Sequence, residues 1–103
     1  MPFLNRFARA FKAAAIRRDA PSCSGVYGLS NAREWIYVGE TDDIRARLLE
    51  HLGETNTFVA RGAPTGFSFE ISPPGERVGR QRQIILELGP AGNGGTRSTR
   101  EDS

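Results

Sequence analysis

A single cysteine, Cys23, rules out an intramolecular disulfide in this 103-residue chain, and one cysteine with one histidine, His51, cannot complete a tetrahedral zinc site. A reducing, intracellular setting is therefore expected. No stretch approaches the roughly 18 to 20 apolar residues of a bilayer span, and charges interrupt the N-terminus where a secretory leader needs its apolar run. No membrane span and a cytoplasmic location follow as expectations. Apolar residues make up only 38% of the chain, enough to feed one small core and not a second.

Acidic residues are missing altogether from the first 18 positions, where Arg6, Arg9, Lys12, Arg17 and Arg18 stand. The formal net charge of +2 thus conceals a segment of +5 followed by a remainder of −3. A nucleic-acid partner exchanges a dense basic face for counterions, and only this segment supplies one. Phe3, Leu4, Phe7, Phe11, Ala14 and Ala15 recur with a helical period opposite the basic residues, which predicts an amphipathic helix from about Pro2 to Arg18. Three roles fit such a helix: a stripe packed on the domain, a phosphate-contacting arm, or a surface at residues 3–18 for a protein partner or a membrane surface.

Pro21 ends that helix, so the chain divides into a basic helix over 1–20, a domain over 24–93 and a disordered polar tail over 94–103. Ser24 to Leu29 and Glu34 to Val38 read as an antiparallel hairpin around the turn residues Ser30-Asn31-Ala32-Arg33. Thr41-Asp42-Asp43 caps a helix that runs to about Leu52 and stops at Gly53. Its Ile44, Leu48 and Leu52 should face the sheet, and Arg47 and His51, also four apart, should share one neighbouring face.

Glu54 to Thr65 reads as a loop, and Gly66 to Ile71 alternates as a third strand. A last helix should begin near Pro74 to Glu76 and stop at Gly89-Pro90, with Val78, Gln81, Ile84, Ile85 and Leu88 inward. Gln81 is the one polar residue on that stripe, so its amide must find backbone partners or point into a polar cleft.

Gly25-Val26-Tyr27 and Tyr37-Val38-Gly39, followed by Arg47 and His51, would bring two phenols, a guanidinium and an imidazole to one cleft, a set suited to phosphodiester chemistry. This order and spacing resemble the GIY-YIG nuclease family, in particular its small stand-alone bacterial type. The frame extends to Gln81, Ile84, Ile85, Pro90 and Asn93, so the resemblance covers roughly residues 24–93. It implies an α+β domain with a three-stranded antiparallel sheet flanked by helices, here with an added N-terminal helix. It implies an endonuclease that hydrolyses DNA backbone with Mg²⁺ or Mn²⁺. Tyr27, Tyr37, Arg47 and His51 take the catalytic positions, Gly39 and Asn93 the substrate-binding ones, and Gln81 stands where the family keeps a metal-binding glutamate.

The chemistry of those groups fits in part. Hydrolysis needs a proton acceptor for water and positive charge at the phosphoryl oxygens. The resemblance makes Tyr27 that acceptor, which requires its phenol to be lowered by nearby positive charge such as Arg47. Arg47 also matches two phosphate oxygens with its planar fork. Gln81 offers a hard cation an oxygen without charge, so weakened hydrolysis or a binding-only module are the competing expectations. Glu40, directly after Gly39, is a further acid close to the cleft in sequence.

Overall fold

The computed structural model describes residues 8–93. Its sheet is built around an uncharged strand, β2 (Gly25–Ser30), which lies between β3 (Trp35–Thr41) and β4 (Gly66–Ile71). Helices cover both faces of β2, so its residues from Gly25 to Leu29 are all buried and the strand cannot show polar alternation. All pairings are antiparallel, and the sheet order is β1-β4-β2-β3.

The fourth strand corrects two expectations. β1 (Arg9–Ala10) pairs with Phe67 and Gly66 of β4, giving four strands instead of three. The expected continuous helix to Arg18 is replaced, within the described residues, by this strand and by α1 (Ala13–Asp19). A helical period counts side chains alone, whereas the outer edge of β4 offers backbone groups that a passing segment satisfies; Phe11 N also donates to Thr65 O at 3.0 Å. Phe3, Leu4 and Phe7 of the expected stripe, and the tail from 94, lie outside the described residues.

One face of the sheet, with Tyr27, Leu29 and Phe67, packs against Ala15, Ile16 and Ala20 from α1 and its end, and against Ile44 and Leu48 of α2 (Ile44–Leu52). The segment before residue 24 is thus part of the main core. Full burial of an Ile or Leu here contributes about 1.5–3 kcal/mol relative to exposure. The opposite face, with Val26 and Val38, receives Ile84 of α4 (Arg77–Leu88), with Trp35, Ile85 and Leu88 packed alongside. Gly89 ends α4 in the left-handed region at φ 57°.

The segment expected as a loop contains a short helix, α3 (Phe58–Arg61), capped by Thr57, whose hydroxyl accepts from Ala60 N at 3.0 Å. Four residues are too few for a periodic signal. Leu52 and Val78 are exposed at 36% and 47%, so neither joins the inward stripe expected of it. Among the described residues no helix is long and apolar enough to cross a membrane.

Candidate functional site

Strand pleating sends Tyr27 and Leu29 of β2 toward α2 while Val26 faces α4. The antiparallel register sets Tyr27 opposite Gly39 and Leu29 opposite Tyr37, which makes Tyr37 the diagonal neighbour of Tyr27. Their ring centroids lie 6.2 Å apart. The start of α2 is fixed by Asp43, whose carboxylate accepts from Ala46 N at 3.0 Å, so the helix delivers Arg47 and His51 one turn apart. The His51 ring sits 5.4 Å from that of Tyr27 and 5.8 Å from that of Tyr37. Tyr27 Oη and His51 Nε2 are 2.7 Å apart.

These groups differ sharply in access. Tyr27 and His51 are 1% and 5% exposed, whereas the Arg47 side chain is 36% exposed. Burial pushes the Tyr27 phenol well above its ordinary value, with Tyr37 adding to the rise and Arg47 opposing it. Arg47 supplies the lowering expected of it, but desolvation outweighs one partly solvated charge. Burial also raises Tyr37, against the pull of Arg47. His51 is lowered, chiefly by burial, although its bond to Glu54 works the other way. Arg47 bonds Glu50 at 2.7 Å and lies 3.8 Å from Glu54.

Gln81 reaches the outer edge of β3. Its Nε2 donates to Val38 O at 3.2 Å, the backbone partner that its inward position demanded. A carbonyl requires a donor, so the amide is oriented with Nε2 on Val38, which leaves its oxygen as the one acceptor that Gln81 offers to anything else. Asn93 engages the same residue twice: its Oδ1 accepts from Val38 N at 2.8 Å and its Nδ2 donates to Val38 O at 3.0 Å. In this way Asn93 supplies the missing neighbour of an edge strand. Asn93→Ala is expected to destabilise the domain by about 1–3 kcal/mol through loss of both bonds, measured as a shift of the denaturation midpoint. An unchanged midpoint would remove Asn93 from this account.

No family model and no curated protein matches the sequence. Solved structures do match. The GIY-YIG N-terminal endonuclease domain of UvrC from Thermotoga maritima, bound to magnesium as its catalytic divalent cation, aligns at 24% identity and a TM-score of 0.65, over 76% of this chain and 94% of that one. A point mutant of that domain with asparagine replaced by alanine, also bound to the cation, aligns at 23% identity and a TM-score of 0.66, over 80% and 96% of the two chains. The chain has the GIY-YIG fold.

Within this GIY-YIG fold the structure brings Tyr27, Tyr37, Arg47 and His51 to one face of the hairpin, and puts Gln81 and Asn93 at the strand edge between Tyr37 and Gly39. Gly39 has a structural task that its sequence position did not suggest. A Cβ there would stand 2.5 Å from Tyr27 Cζ, with closer contact to Oη, so Gly39 is the slot in which the Tyr27 ring lies. Glu40 is near enough for its charge to help raise Tyr37, but its carboxylate is engaged elsewhere. One residue past Gly39 the strand faces the other way, and Glu40 bonds Arg77 of α4. Among the described residues no group of three or more His, Cys, Asp or Glu is placed to hold a metal ion.

Sequence inspection missed Glu54. Its Oε1 is 3.0 Å from His51 Nδ1 and accepts from the Thr57 hydroxyl at 3.1 Å. The signal was present as an acid three residues after a histidine at a helix end, but the segment lacked any period to place it.

Proposed function

We propose that this domain cleaves the DNA backbone in the cytoplasm by phosphodiester hydrolysis assisted by Mg²⁺ or Mn²⁺, with its hold on the ion weakened by Gln81. The observation that carries this reading is the 2.7 Å pairing of Tyr27 Oη with His51 Nε2 beside the partly exposed Arg47. Arg47 binds two phosphate oxygens and Tyr37 orients the phosphate. Tyr27 takes the proton of the attacking water while its own proton passes to His51. No phenolate has to form, which suits a phenol that burial keeps neutral. Burial keeps His51 unprotonated and so open to that proton, although it also makes the imidazole a weaker base.

A divalent ion would be held here by the Gln81 amide oxygen, a single neutral ligand, and would rely on water and substrate for the rest of its oxygen ligands. Such an ion, when bound, offsets the charge that develops on the phosphate and leaving oxygen. Gly39 acts by seating Tyr27 and Asn93 by fixing the strand that carries Tyr37.

A second reading, phosphate binding without turnover, is favoured by the burial of Tyr27 and His51 and by the neutral Gln81. One assay separates the two. DNA is incubated with Mg²⁺ or Mn²⁺ and the chain as given, Arg47→Ala or Gln81→Glu. Cleavage that falls about 100-fold or more in Arg47→Ala supports hydrolysis, since one lost oxyanion donor has an effect of that order. Salt-sensitive DNA binding with no cleavage in any variant supports the binding module. Neither binding nor cleavage leaves an interaction protein acting through residues 3–18.

A further inference from the structure

We propose that Glu54 is a positioning residue for this site, holding His51 in the tautomer whose Nε2 is free to accept the proton of Tyr27. The inference rests on the hydrolytic reading above and adds a residue to it. Glu54 follows α2, and its carboxylate is met from three sides. Oε1 is 3.0 Å from His51 Nδ1 and 3.1 Å from the Thr57 hydroxyl, and Oε2 is 3.8 Å from Arg47 Nη1.

An ionised carboxylate accepts hydrogen bonds and has no proton to give. Burial alone would raise Glu54, but the bonds from His51 and Thr57 and the charge of Arg47 outweigh it and keep the group ionised. The hydrogen between Glu54 and His51 therefore sits on Nδ1. A neutral imidazole carries a single N–H, which leaves Nε2 bare and facing the Tyr27 hydroxyl at 2.7 Å.

The order is thus Tyr27 O–H to Nε2, and Nδ1–H to Glu54. When the phenol gains a proton from water and releases its own to Nε2, the imidazole becomes imidazolium and the Nδ1–H bond to Glu54 is kept. The negative charge then stabilises the cation, as a buried carboxylate does for the histidine of hydrolytic triads. The other groups facing His51 are Tyr27 from β2, Tyr37 from β3, and Arg47 and Glu50 from α2; Arg47 opposes the cation and Glu50 favours it. None of these is bonded to Nδ1 among the described contacts.

His51 is the only histidine in the chain, so its imidazole ¹⁵N signals are assigned without ambiguity. The test records them across pH for the unaltered chain, Glu54→Gln and Glu54→Ala, with thermal melts to establish that each variant is folded. Expected are a single Nδ1–H tautomer in the unaltered chain and a shift toward Nε2–H in Glu54→Ala. Glu54→Gln keeps an acceptor oxygen but not the charge, so its tautomer is retained while His51 titrates at lower pH. If the unaltered chain holds the Nε2–H form, or Glu54→Ala leaves the tautomer unchanged, the proposal is overturned. The spectra need no substrate, so they decide the role of Glu54 even if the chain never cuts DNA. Where DNA is cut, Glu54→Ala is expected to slow cleavage at least about tenfold, a fraction of what positioned acid–base groups supply.

Discussion

Gly39→Ala is expected to lower the melting temperature of this domain by about 10 °C or more and to abolish function at the cleft. The added methyl group would stand 2.5 Å from Tyr27 Cζ and 2.8 Å from Cε2, well inside contact distance. Tyr27 cannot swing aside, because it is 1% exposed and its hydroxyl is bonded to His51. Overpacking of a filled core costs about 1–3 kcal/mol, and a domain of this size loses about 4–8 °C per kcal/mol. The functional loss has the same cause. A displaced ring breaks the bond to His51 and leaves a buried imidazole nitrogen without a partner. A melt by circular dichroism checks the first part and the His51 spectrum the second. A melting temperature within a degree or two of the unaltered chain would show that Gly39 is not the slot for Tyr27.

Gln81→Glu is expected to raise cleavage at limiting Mg²⁺ by about tenfold or more, because a hard cation gains an anionic ligand in place of a neutral one. The same change is expected to loosen the fold when no cation is present. Gln81 donates to Val38 O, whereas a carboxylate has no hydrogen to offer and would place negative charge beside a carbonyl. Loss of that bond costs about 0.5–1.5 kcal/mol, and Mg²⁺ should offset the lost stability by binding the carboxylate of the folded state. Calorimetric melts with and without Mg²⁺, run beside the cleavage assay, measure both arms. A variant with the same ion-independent melt and the same activity would mean that position 81 neither clamps the strand nor meets the ion.

Much of this was legible in the sequence where a local rule and the tertiary environment agree. The strand from Gly66 to Ile71 forms as its β-favouring residues suggest, although its burial does not alternate, since Ser68 is buried and Ile71 is 61% exposed, and Asp43 and Gly53 bound the Arg47 helix by capping chemistry. The amide of Gln81 was identified as needing a partner because a lone polar group on an apolar stripe must have one, and Val38 O meets that need. The failures share a different cause. Arg9 and Ala10 form a strand because β4 has an edge to satisfy, and no property of those two residues announces it. Gly39 looked like a family signature, while its physical reason lies across the sheet in a register that only pairing reveals. The charge of Glu40 does reach Tyr37, but adjacency in sequence hides the strand alternation that engages its carboxylate with Arg77.

The bonds from Asn93 to Val38 span 55 positions of sequence. During synthesis, then, the outermost strand emerges from the ribosome long before the side chain that will close its rim. For that interval its exposed amide and carbonyl are open to pairing with other nascent chains, a hazard of any unprotected rim. A chain ending a few residues short of Asn93 would make that hazard permanent, and such a truncation should be recovered largely as aggregate.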